Sequence, residues 1–123
     1  MADVELDELL RRFRDEDLVV LDVRMPQEFA GTAGARCDPR QGHIPGARNI
    51  PLELILRCRS TEEVRALTGL PERAEVVAYC HSGSRSAFAV QVLAAAGYEA
   101  RNYVGSWHEW SRERTAPVDS GGD

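Results

Sequence analysis

Cys80 opens the segment Cys80-His81-Ser82-Gly83-Ser84-Arg85-Ser86, which lies between the apolar run Glu75 to Tyr79 and the helix-like stretch Ala87 to Ala96. A strand that turns tightly into a helix sets its turn residue where backbone N–H groups and the positive end of the helix dipole converge. A thiol in that position is favoured as the thiolate, the nucleophilic form. Four residues separate Cys80 from Arg85. Cysteine-dependent phosphatases use a longer loop to enclose a tetrahedral phosphate, so this one is too small for that dianion and suits an added sulfur atom. The alternative for Cys80 is a buried structural thiol, since unpaired cysteine is among the most buried residue types. Its place at the carboxyl end of a strand, where ligands bind in open α/β sheets, favours catalysis.

The rest of the loop divides by residue type. Gly83 supplies backbone geometry that a Cβ would resist, and Ser82 and Ser84 could add small hydroxyl donors, with Ser86 closing the loop. His81 reads as a solvent-facing substrate contact and not a base, because a stabilised thiolate has no proton to give up. Arg85 has two roles open to it: binding the anionic end of a substrate, or turning inward to pair with Asp22 or Glu28. Arg24, just past the first strand, reads as an organiser of the loop through charged hydrogen bonds. His43, between glycine and proline turns, reads as a hydrogen-bonding brace.

Patterning supplies the elements that would hold these groups. Leu6, Leu9, Leu10 and Phe13 recur at helical spacing and predict a first helix from Val4 to Phe13, capped by Asp3. Leu18 to Val23 is a short apolar run, the pattern of a strand buried on both faces. Residues 30 to 40 lose periodicity and read as a surface loop, whose Arg36 and Arg40 could steer anions. Ser60-Thr61-Glu62-Glu63 is a capping box opening a helix from Thr61 to Thr68, which Gly69 stops. Glu75 to Tyr79 is the central strand. The next helix, Ser84 to Ala96, is predicted to bury Phe88, Val92 and Ala95 or Ala96, with Gly97 as its stop. A strand from Ala100 to Val104 and a short aromatic helix follow. Strands alternating with helices predict an α/β fold with a central parallel sheet covered on both faces.

With 123 residues the chain is expected to form one domain, its core from about residue 4 to 118 and a frayed tail at 119–123. The formal charge is −5 and charges are interspersed, so no basic stripe invites nucleic acid or an anionic membrane. No apolar run reaches the length of a membrane span, and the acidic start, Met1-Ala2-Asp3-Val4-Glu5, is unlike a secretion signal. The expected compartment is the cytoplasm. Three cysteines at unpatterned spacing predict neither a disulfide framework nor a paired-cysteine zinc site, and neither metal nor cofactor is expected. Every basic side chain other than histidine is arginine, which leaves guanidinium groups to hold anions and removes lysine chemistry.

Four blocks carry a family resemblance. Val77 to Ser86 resembles the active-site loop of rhodanese-type sulfurtransferases. Leu21-Asp22-Val23-Arg24-Met25-Pro26-Gln27-Glu28-Phe29 and Gly42-His43-Ile44-Pro45-Gly46-Ala47-Arg48-Asn49-Ile50-Pro51 are similar to two further blocks of that family in the same order. Asn102 to Trp110 resembles the segment ending the catalytic, C-terminal half of tandem thiosulfate sulfurtransferases, whose insertion at residues 30–40 this chain shares. The resemblance spans residues 18 to 118 and implies a single rhodanese-like domain. It implies that Cys80 attacks the outer sulfur of thiosulfate or a similar donor, holds a persulfide, and passes the sulfur to a thiol, cyanide or protein acceptor by ping-pong kinetics. The N–H groups of residues 81 to 85 would cradle the outer sulfur, the substrate-binding loop running on to Ser86, with Asp22, Arg24, Glu28 and Trp107 in support. Trp107 is either a core anchor or, as in the family, part of the pocket wall. The mercaptopyruvate-specific branch carries arginine where Glu28 stands, so thiosulfate is the preferred donor. The alternative is a sulfur-relay or docking module serving a partner protein, although docking members of the family lack the loop cysteine. The sequence carries no signal for oligomeric state.

Overall fold

The computed structural model describes residues 2–121. Four strands, β1 (Leu18–Asp22), β2 (Arg48–Asn49), β3 (Glu75–Tyr79) and β4 (Glu99–Asn102), form one sheet in the order β2-β1-β3-β4. All three pairings are parallel; β1 and β3 run in register from Leu18 opposite Glu75 to Asp22 opposite Tyr79. Alternate side chains of these central strands enter two separate cores, Leu18, Val20, Val77 and Tyr79 on one face and Leu21, Val76, Ala78 and Cys80 on the other. Two covered faces explain why both strands read as unbroken apolar runs.

Six helices cover the sheet: α1 (Leu6–Arg12), α2 (Pro26–Ala30), α3 (Leu52–Leu56), α4 (Thr61–Thr68), α5 (Ser84–Ala95) and α6 (Ser106–Trp110). The first face packs against Leu9 of α1, Phe29 of α2 and the two tryptophans of α6. The second packs against Ile55 of α3, Val64 of α4, and Ala89 and Leu93 of α5. Ser60 caps α4 by accepting the Glu63 N–H at 3.1 Å, and Gly69 ends it at φ +63°, as the capping pattern predicts.

Three expectations are corrected. The first helix starts at Leu6 and Asp3 is not its cap, because Val4 is drawn to the sheet edge, pairing with Tyr103 and donating to the Asn102 carbonyl at 2.9 Å. Phe88 is 59% exposed; α5 instead buries Ser86, Ala89 and Leu93. The turn at Gly83 fixes the helix rotation so that Ser86 faces the Cys80 sulfur, which sends Phe88 outward. The tail is held at its start: Asp119 and His43 exchange two backbone hydrogen bonds (2.8 and 3.0 Å) and Gly121 donates to the Ala30 carbonyl at 2.8 Å. Gly42 makes this possible, since at its φ of +134° a Cβ would run into the Asp119 carbonyl. Gly122 and Asp123 lie outside the described residues.

Arginine side chains bind α1 to the sheet. Arg12 holds Glu75 through two guanidinium nitrogens (2.8 and 2.6 Å), and Arg101 holds Glu8 likewise (2.7 and 2.9 Å). Hydrogen bonds from Arg12 hold the Glu75 carboxyl below its ordinary value, and those from Arg101 do the same for Glu8. With folded values below unfolded ones, the stabilisation is present above about pH 4 and lost as pH falls through the depressed values. The urea midpoint is therefore expected to fall on acidification below about pH 4, and to fall less in a variant carrying both Arg12→Gln and Arg101→Gln.

Candidate active site

The loop from Cys80 to Gly83 joins β3 to α5 at the carboxyl end of the sheet. Cys80 Sγ accepts hydrogen bonds from the Gly83 N–H at 3.1 Å, the Ser86 N–H at 3.4 Å and the Ser86 hydroxyl at 3.3 Å. Burial by itself raises a thiol pKa; here the Ser86 hydroxyl and the N–H groups of Ser86, Gly83 and Ser82 outweigh it, and the Cys80 pKa is lowered. Donors fixed in the fold favour negative charge on sulfur before any substrate arrives. Replacing Ser86 by alanine removes one donor, and a hydrogen bond to a charged group contributes about 1.5–3 kcal/mol. Ser86→Ala is expected to slow Cys80 alkylation at neutral pH by about tenfold or more, read by mass spectrometry in a background where Cys37 and Cys58 are serine.

The loop is pinned from the far side by residues that, Trp107 apart, the sequence did not single out. Ser106 Oγ accepts the Cys80 N–H at 3.1 Å and donates to the Tyr103 carbonyl at 2.8 Å. Ser106 is left-handed, with φ +54°, a conformation costly for a residue with a Cβ and concentrated at functional sites. Asn102 Nδ2 donates to the Gly83 carbonyl at 3.1 Å. The Trp107 and His108 N–H groups donate to the Cys80 and His81 carbonyls, both at 2.9 Å. Gly83 stands at φ +95°, and a Cβ there would lie 2.7 Å from the Val104 carbonyl oxygen.

Of the other candidate residues, Ser82 and Ser84 are exposed at the loop surface. Arg85 pairs with Glu28 through both guanidinium nitrogens (2.9 and 3.3 Å) and not with Asp22. That pair raises the Arg85 pKa, the Cys80 charge adding to the effect, and holds Glu28 below its ordinary value against the opposing effect of burial. Asp22 and Arg24 form a fully buried pair beside Tyr79, the last residue of β3. Arg24 donates to Asp22 from Nε and Nη2 (2.7 to 3.1 Å) and to the Gly42 carbonyl at 2.6 Å. Its guanidinium lies 5.0 Å from the centre of the Trp107 ring. Arg24 thus spends its hydrogen bonds on Asp22 and Gly42 and not on the thiol loop, and Trp107 is a core anchor, fully buried, with Nε1 donating to the Arg40 carbonyl at 3.0 Å. His43 stacks on Phe29, ring centres 3.7 Å apart, with Nδ1 2.7 Å from the Phe29 carbonyl.

The insertion contributes more than a surface loop. Arg40 is no steering charge: it donates to the carbonyls of Trp110, Ser111, Glu113 and Ala116, closing the end of α6. Asp38 is buried and its carboxylate lies 2.9 Å from His81 Nε2 and 2.8 Å from Arg112 Nη1. Burial disfavours its charge, but Arg112 and His81 prevail and hold Asp38 below the usual carboxylate range. His81 therefore stands beside a carboxylate that nothing near it in sequence announces.

The profile of the rhodanese-like domain matches residues 5–113. The chain belongs to the rhodanese-like domain family. A sulfur carrier protein of Thermus thermophilus, TtuD, is 35% identical over an alignment covering 94% of this chain and 50% of that protein. A thiosulfate sulfurtransferase of Pseudomonas aeruginosa is 34% identical, covering 90% of this chain and 43% of that one. The crystal structure of a probable thiosulfate sulfurtransferase superposes with a TM-score of 0.81 at 45% identity, covering 95% of this chain and 47% of the other. The rhodanese-like chain spans about half the length of the relatives it matches. Among the described residues, no helix is long and apolar enough to cross a membrane.

Proposed function

We propose that this rhodanese-like domain transfers sulfane sulfur through a persulfide on Cys80. The observation that carries the reading is the convergence of the Gly83 N–H, the Ser86 N–H and the Ser86 hydroxyl on Cys80 Sγ. In the first half-reaction the thiolate attacks the outer sulfur of thiosulfate. A sulfur–sulfur bond forms to Cys80, the bond to the sulfonate sulfur breaks, and sulfite leaves with the electron pair. In the second, an acceptor nucleophile attacks the outer sulfur and Cys80 departs as thiolate. A covalent intermediate between two substrates predicts ping-pong kinetics.

A keto-acid donor is less favoured, because position 28 is a carboxylate that already occupies Arg85. Delivery to a protein acceptor is supported by likeness to a relative named a sulfur carrier. The test is to incubate the reduced protein with thiosulfate, record its intact mass, and then add cyanide and assay thiocyanate. Gain of one sulfur and its discharge by cyanide supports transfer. Loading with slow cyanide turnover favours relay to a protein, whereas no loading from thiosulfate or from a persulfide donor overturns the reading.

A further inference from the structure

Cys37, Asp38, His81 and His108 come from three separate segments, the insertion, the Cys80 loop and α6. One ligand-type atom from each lies within 4.8 Å of all the others. From this clustering we infer a binding site for a zinc-class divalent cation, held by one thiolate, one carboxylate and two imidazoles. The site stands on its own geometry and does not depend on sulfur transfer at Cys80. It also departs from the expectation of no metal, which rested on the absence of paired-cysteine spacing; these ligands are gathered by the fold instead.

Three observations support it. Asp38 Oδ2 and His81 Nε2 are both buried and 2.9 Å apart, yet neither makes a hydrogen bond, to the other or to any other group. Two such atoms facing one another without the alignment of a hydrogen bond are what a shared cation would satisfy. Two further contacts are short as well: His108 Nδ1 is 3.7 Å and Cys37 Sγ 3.8 Å from Asp38 Oδ1. Four-coordinate zinc with bonds of about 2.0–2.3 Å spaces its ligands roughly 3.3–3.7 Å apart. The widest pairs, within 4.8 Å, therefore need to close by only about 1 Å and the Asp38–His81 pair to open by roughly 0.5 Å, which the exposed Cys37 and half-exposed His108 side chains can supply by rotation.

Arg112 stands behind the ligands and orients them. It donates to Asp38 Oδ1 at 2.8 Å, the His108 carbonyl at 2.7 Å and the Cys37 carbonyl at 2.8 Å, touching three of the four ligand residues. Partners of this kind fix the direction of metal ligands. A donor set with sulfur and two imidazoles selects zinc, cobalt or copper over magnesium and calcium, which require oxygen. The solvent-facing Cys37 and His108 leave an entry path.

The test titrates the full chain, first freed of metal by a chelator, with cobalt(II). One equivalent should produce the visible bands of tetrahedral cobalt and a thiolate-to-cobalt charge-transfer band, both bleached by zinc. Cys37→Ser should remove the charge-transfer band, His108→Ala should weaken binding at least about tenfold, and Cys80→Ser should leave the spectrum unchanged. Zinc should raise the thermal midpoint of the native chain but not of Cys37→Ser; both ligand substitutions fall on accessible side chains, and circular dichroism checks that the fold persists. Absence of the bands at stoichiometric cobalt overturns the site, as does a charge-transfer band that survives Cys37→Ser and vanishes in Cys80→Ser.

Discussion

Cys80→Ser is expected to abolish sulfur loading from thiosulfate, lowering sulfurtransferase activity by at least ~10³-fold while leaving the protein folded. Serine is similar in volume and would sit in the same cradle of Gly83 and Ser86 donors. Those donors lower the pKa of a thiol enough to matter; a hydroxyl starts too high for them to generate an alkoxide. The substitution removes the nucleophile and keeps the surroundings. Intact mass after thiosulfate treatment reads the outcome directly, with Cys37→Ser and Cys58→Ser expected to load as the native chain does. Sulfur carried by the Cys80→Ser protein would identify a different thiol as the carrier.

The largest loss of stability is expected from Arg24→Ala. Asp22 and Arg24 are almost wholly buried, and the guanidinium bridges the carboxylate, the Gly42 carbonyl and the faces of Tyr79 and Trp107. Removing it leaves the Asp22 carboxylate uncompensated in the core, which costs about 3–5 kcal/mol. Urea denaturation should show that loss at an unchanged slope. Combining Asp22→Asn with Arg24→Met takes away both charges and keeps the volume, so the pair should recover a substantial part of it. A loss under about 1 kcal/mol for Arg24→Ala would mean that water reaches and solvates Asp22, against the burial observed.

Local features were legible in the sequence and distant ones were not. The strand, the turn and the helix around Cys80 are contiguous, so apolar runs, a turn glycine and a capping box suffice to find them. The donors that grip the loop from outside are another matter. Ser106 meets Cys80 from 26 positions away, and a serine after a glycine reads as an ordinary turn residue. Asp38 sits in a stretch without periodicity, where an aspartate before proline signals a bend, and its burial depends on Arg112, 74 positions on. Phe88 was misread because helical spacing gives the width of an apolar stripe but not its rotation. Small residues, Ser86 and Ala89, let α5 approach the sheet, and their lack of bulk hides the buried face from any reading that follows large apolar side chains.

For the persulfide proposed on Cys80, the complete burial of its Sγ would govern the regiochemistry of the second half-reaction. A persulfide offers two electrophilic sulfurs. Attack on the inner one would expel hydrosulfide and leave the acceptor bonded to the protein as a dead-end disulfide, whereas attack on the outer one returns the free thiolate. With Gly83 and Ser86 packed around the inner atom, an approaching nucleophile is confined to the outer sulfur. In the proposed cycle, the wall that makes the thiol hard to reach would thus keep a bulky thiol acceptor from trapping the protein as a disulfide.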